Sequence, residues 1–144
     1  MTELAKASMA AIFITLMGCA QSDGDAISTS TEPYDGISAN ETLYLLGTEP
    51  FWGFEINGES AEYSSPEELD GTTISLKRFA GNSGLGYSGE INDQPLQIAI
   101  TPGDCSDGMS DRSYPFTATV TLGDSTLYGC GHTDSQPFTG DEAP

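Results

Sequence analysis

Seven consecutive residues, Phe116-Thr117-Ala118-Thr119-Val120-Thr121-Leu122, carry an apolar side chain at every second position and a threonine between. A period of two is the signature of a β-strand with one buried and one solvated face. Thr72-Thr73-Ile74-Ser75-Leu76 repeats the pattern. Similar short runs fall at 42–46, 51–56, 61–63, 72–79, 85–91, 96–101 and 126–131. Turn residues separate them: Asn57-Gly58, Asn92-Asp93 before Pro95, and Gly123-Asp124. No stretch of this region keeps a helical period. Ser65-Pro66-Glu67-Glu68-Leu69 supports one helical turn at most, with Ser65 as its cap. About eight strands between residues 42 and 131 predict an all-β domain, a small antiparallel barrel or sandwich.

Charge narrows the partners. The chain of 144 residues, one domain's length, holds 22 Asp and Glu against 4 Lys and Arg, a formal charge of −18. Phosphate recognition needs a basic patch, so nucleic acid is excluded as a partner. Electrostatic adhesion to an anionic membrane surface is excluded on the same ground.

The first 18 residues read as a secretory signal. Lys6 precedes an apolar stretch, Ala10 to Met17, too short to span a bilayer. That stretch ends in Leu16-Met17-Gly18-Cys19, which resembles the lipobox of bacterial lipoprotein signal peptides. The resemblance implies cleavage before Cys19, a diacylglycerol thioether on its sulfur and N-acylation. Such acyl chains anchor stably. Ala20-Gln21 follow in place of Asp, which favours the outer membrane, facing the periplasm. Residues 19–41 are expected to form a flexible tether, residues 42–131 the β domain, and residues 132–144 a disordered acidic tail.

Lipidation of Cys19 leaves Cys105 and Cys130. An oxidising compartment pairs them by default, closing a loop worth about 3.5 kcal/mol in the chain-entropy model. A redox or metal role lacks the C-x-x-C spacing, and His132 is the single histidine.

Several patterns imitate chemistry. Gly84-Leu85-Gly86-Tyr87-Ser88-Gly89 matches G-x-G-x-x-G, but no helix pattern follows it, so the glycines are read as room for a bend or bulge. Asp104, Asp107 and Asp111 form either an Asx-rich turn beside Cys105 or an oxygen cluster for Ca²⁺; the turn is favoured and no metal or cofactor is assigned. Ser106 and His132 lack the setting of a nucleophile elbow. Trp52, the single tryptophan, is read first as core and second as a binding platform.

Two blocks carry a family resemblance, Gly47-Thr48-Glu49-Pro50-Phe51-Trp52 and the run from Cys105 to Phe116 (CSDGMSDRSYPF), closed by a third short stretch, Leu127-Tyr128-Gly129-Cys130. They resemble a family of uncharacterised bacterial envelope lipoproteins, predicted membrane or lipoprotein-like proteins. The resemblance implies an envelope location and no particular activity. Ser83-Gly84-Leu85-Gly86-Tyr87 is similar to the S-G-x-x-Y loop of membrane-bound inhibitors of c-type lysozyme, whose second motif is absent. Residues 89–101 are similar to META-type domains. The expected function is therefore a lipid-anchored, non-enzymatic binding or envelope-maintenance domain with an envelope protein as partner. Its alternative is lysozyme inhibition, with Ser83 and Tyr87 inserted into the partner and the acidic surface steering a cationic lysozyme.

Overall fold

The computed structural model describes residues 32–141. Among them lie nine strands and no helix: β1 (Thr42–Thr48), β2 (Phe51–Asn57), β3 (Ser60–Ser65), β4 (Glu68–Ser75), β5 (Lys77–Ala80), β6 (Leu85–Ile91), β7 (Gln94–Ser106), β8 (Ser113–Leu122) and β9 (Ser125–Thr133). They form one antiparallel sheet in the order β4-β3-β2-β1-β9-β8-β7-β6-β5. The signal peptide, Cys19 and the first part of the predicted tether lie outside the described residues.

The sheet rolls into a nearly closed barrel. Only Leu76 separates β4 from β5, so the two are halves of one bent strand. Its first half pairs with β3 and its second with β6. The sequence reading of eight strand passages is therefore right, with one of them bent at the seam. Gly89 makes the bend fit, because a Cβ there would meet Ser75 O and the Leu76 side chain at 2.8 Å. In the G-x-G-x-x-G stretch Gly84 precedes β6 and the remaining residues lie along it, and its glycines allow close approach to Ile100 O, the Phe79 ring and Ser75 O.

Alternation fills the interior. Leu43, Leu45, Phe54 and Ile56 from β1 and β2 meet Ile98, Ile100, Phe116 and Val120 from β7 and β8 in one buried cluster. The intervening threonines of β8 face outward and remain part-exposed. Registers such as Ile98↔Val120 and Leu45↔Phe54 put apolar partners directly opposite, the pairing that stabilises a sheet.

Three sequence expectations need correction. Residues 66 and 67 form a hairpin turn between β3 and β4, not a helical turn. The described part of the predicted tether packs on the barrel: Ile37 is buried in the core, Tyr34 N donates to Gly81 O at 2.8 Å, and Arg78 donates to Ile37 O at 2.8 Å. The predicted disordered tail is ordered through Thr139. His132 and Thr133 belong to β9. Thr139 and Ser113 exchange backbone hydrogen bonds of 2.8 and 2.9 Å. The Phe138 ring sits 4.4 Å from the Arg112 guanidinium and 5.4 Å from the Tyr114 ring. A lone aromatic in a polar segment is a weak sequence signal. Its packing depends on an arginine 26 positions away.

Candidate functional site

The three sequence blocks meet at one place. β1 ends in a hairpin turning on Glu49-Pro50, joined by a cis peptide bond, and Thr48 pairs with Phe51 across it. Gly47 pairs with Trp52. A Cβ at Gly47 would fall inside the Trp52 indole, and one at Gly129 would strike both the indole and Leu46 O. The tryptophan therefore fits because two glycines, from β1 and β9, leave its ring space. It is buried, as the core reading expects.

The tip of the β7–β8 hairpin folds over the outer face of β9 and β1. A bulge between Pro102 and Cys105 turns it. The Cys105–Cys130 disulfide, with Cα atoms 5.5 Å apart, ties it to β9. Thr48 Oγ1 donates to Asp107 O at 2.9 Å and ties it to β1. Cys130 points away from the interior, yet it is buried because this tip covers it.

Asp107 holds the tip in shape. Its Oδ1 accepts the N–H groups of Met109 and Ser110 at 2.9 and 2.8 Å, and its Oδ2 accepts Ser110 Oγ–H at 2.7 Å and Tyr114 O–H at 3.3 Å. The Ser110 hydroxyl and then the Met109 N–H stabilise the anion most, and they lower its pKa to about 2. The carboxylate thus serves an Asx-type knot. Among the described residues no group of three or more His, Cys, Asp or Glu side chains is placed to hold a metal ion. Ser106 Oγ accepts Gly108 N–H at 3.2 Å. His132 stacks on Tyr44 with ring centroids 4.9 Å apart and faces Phe138 at 5.1 Å. Burial lowers the imidazole pKa, favouring its neutral form.

Three large apolar side chains stand exposed around the Thr48–Asp107 junction. Phe51, Met109 and Tyr128 are 55%, 61% and 72% exposed. They come from the first, second and third block respectively. Two clefts flank the tip. One, of about 300 Å³, is lined by Leu46, Thr48, Ser106, Thr119, Tyr128 and Gly129 among others. The second, of about 380 Å³, is lined by Thr48, Glu49, Met109, Thr126 and Tyr128. Next to Phe51 a third depression, of about 460 Å³, reaches Pro66 and the exposed Leu69.

The other sequence candidates do not assemble. Ser83 is exposed on the loop between β5 and β6. Tyr87 is 3% exposed and belongs to the core. Burial raises the pKa of its phenol, and the Arg78 hydrogen bond opposes that rise. Tyr87 cannot enter a partner's cleft without leaving its own barrel, so the pair does not form an inserting loop. Trp52 lies behind the junction and is not displayed on it. Sequence reasoning passed over Phe51, Met109 and Tyr128. For Phe51 the signal was present: with Trp52 read as core, alternation sends its neighbour outward. For Tyr128 the run 126–131 shows only that it faces opposite to Leu127 and Gly129. Compared with known proteins, the chain matches no family model, no curated protein and no solved structure.

Proposed function

We propose that this protein is a lipid-anchored, non-enzymatic binding domain of a bacterial envelope, displaying the Thr48–Asp107 junction to its ligand. The supporting observation is the convergence of three sequence-distant blocks on one surface rich in exposed aromatic and Met side chains. Aromatic and Met side chains are enriched where proteins bind. The barrel interior is filled by its own side chains, so a ligand has to be met on the outside. Cys19, within the Leu16–Cys19 lipobox pattern, is the proposed point of attachment, and the outer membrane facing the periplasm the proposed place. The acidic surface then keeps the domain off anionic headgroups, with attachment left to the acyl chains.

Two variants test this reading together. Cys19→Ala releases the protein from the membrane fraction. Tyr128→Ala, anchored and present at wild-type level, reproduces the envelope-stress sensitivity of a deletion strain. Retention of Cys19→Ala in the pellet sinks the anchor. Full complementation by Tyr128→Ala sinks the junction as the binding surface.

A further inference from the structure

The two clefts beside the hairpin tip share four residues, Thr48, Ser106, Asp107 and Tyr128. Tyr128, 72% exposed, is therefore a wall common to both recesses, together with the Thr48–Asp107 contact. Their volumes, about 300 and 380 Å³, fall at the small end of ligand sites. No Lys or Arg lines either cleft. Asp107, common to both, is already engaged by four donors within the tip. Thr48 has given its hydroxyl proton to Asp107 O and Ser106 Oγ already accepts Gly108 N–H, so each keeps only part of its capacity. What else lines the clefts is hydroxyl from Thr119 and Thr126, the Glu49 carboxylate, the Tyr128 ring, and apolar wall from Leu46, Ala118, Met109 and Leu127.

We infer that the junction binds a short uncharged oligosaccharide, seated across Tyr128 with sugar rings in both clefts. This rests on the binding-domain reading above and names its ligand class. A pyranose has an apolar face of axial C–H bonds and an edge of hydroxyls. The face matches an exposed aromatic ring, and the edge matches hydroxyl and carboxylate partners. An anionic ligand would meet no base here. A purely apolar ligand would desolvate the Thr119 and Thr126 hydroxyls and the Glu49 carboxylate without replacing their hydrogen bonds. A flat protein interface would leave both recesses unfilled.

Trp52 supplies an internal reporter, because its indole lies directly behind Gly47 and Gly129, which line the first cleft. The test uses the mature chain carrying Cys19→Ala, which removes only the lipid attachment. It is titrated with maltotriose, with triacetylchitotriose and with a peptide of alternating Lys and Val. Amide chemical shifts and Trp52 fluorescence are followed. The expected result is that at least one saccharide shifts Met109, Thr119, Thr126 and Tyr128. Tyr128→Ala then weakens that binding at least about tenfold. Tyr128→Phe retains it, since the ring face and not the phenol makes the contact, and Leu69→Ala leaves it unchanged. Thr119→Val weakens binding without touching the ring.

Saturating concentrations of both saccharides without a shift overturn the inference, as do shifts confined to other residues. Binding of the cationic peptide at these positions without saccharide competition overturns it too, and assigns the site to a polypeptide. If the saccharides fail while Tyr128→Ala still reproduces the deletion phenotype, the binding-domain reading stands and only the ligand class falls.

Discussion

Gly47→Ala places a methyl group where the Trp52 indole already is. The nearest atoms are Nε1, Cε2 and Cζ2 of the ring. Alanine in an unobstructed strand would be favoured over glycine by about 0.5–1 kcal/mol. Overpacking a filled core opposes this by about 1–3 kcal/mol. The overlap involves three ring atoms of a buried side chain, so the upper part of that range applies and the net loss is about 2 kcal/mol. Trp52→Leu removes those ring atoms. It costs somewhat less than the about 3–5 kcal/mol of truncation to alanine. In the Trp52→Leu background the added methyl no longer meets a ring, so Gly47→Ala becomes neutral or mildly stabilising. The coupling between the two substitutions is then about 2–3 kcal/mol, within the range for contacting residues. Gly129→Ala is the control. Its Cβ also strikes Leu46 O, a backbone atom that Trp52→Leu leaves in place, so its cost persists in both backgrounds. Urea unfolding followed by far-UV circular dichroism measures the cycle, because the chain's single tryptophan is itself being changed. Additivity of Gly47→Ala and Trp52→Leu within about 0.5 kcal/mol would refute the reasoning.

Reduction of Cys105–Cys130 should lower stability by about 3.5 kcal/mol, from the entropy of the 25-residue separation it closes. For a domain of this size that is a fall in Tm of about 15 °C by calorimetry, and an unchanged Tm would contradict it. Asp107 has a folded pKa of about 2, below its ordinary 3.8. Its stabilisation is therefore complete above the unfolded value and is lost as pH falls through the folded one. Asp107→Asn should be less stable than wild type at neutral pH, with the gap narrowing between about pH 4 and pH 2 in denaturant titrations; a gap constant over that window would refute the assignment.

Much of the barrel was legible because its signal is local. In β8 the order Phe116, Ala118, Val120 against Thr117, Thr119, Thr121 states which face is buried. The turns at Asn92-Asp93 and Gly123 use positive-φ residues that the sequence displays openly. The pairing of Cys105 with Cys130 followed from counting thiols, and the disulfide is present. The clasp over β9 was not legible. It needs a bulge at Pro102–Cys105 to turn the hairpin and Thr48 to receive it, 59 positions from Asp107. Neither residue announces the other.

The same holds for the two ends of the domain. Ile37 and Phe138 sit in polar stretches that read as tether and tail. Each is held by contacts that exist only after the barrel has closed: Arg78 reaches Ile37 O, and Arg112 lies over the Phe138 ring. Tyr87 fails as a site residue for the opposite reason. Its motif looked like a loop, but alternation along β6 turns the ring into the core. The strand pairing of the sheet, and not the local motif, decides which way these residues face.

The central claim is that the Thr48–Asp107 junction is where this protein meets its ligand. Photo-crosslinking in intact cells tests it most directly. A photoreactive benzoylphenylalanine is placed in turn at Phe51, Tyr128 and Phe79. All three are exposed aromatics, and Phe79 lies away from the junction, over Gly86. Covalent products from Phe51 and Tyr128, with none from Phe79, are the predicted result. Products from Phe79 alone, or equal products from all three, would contradict it.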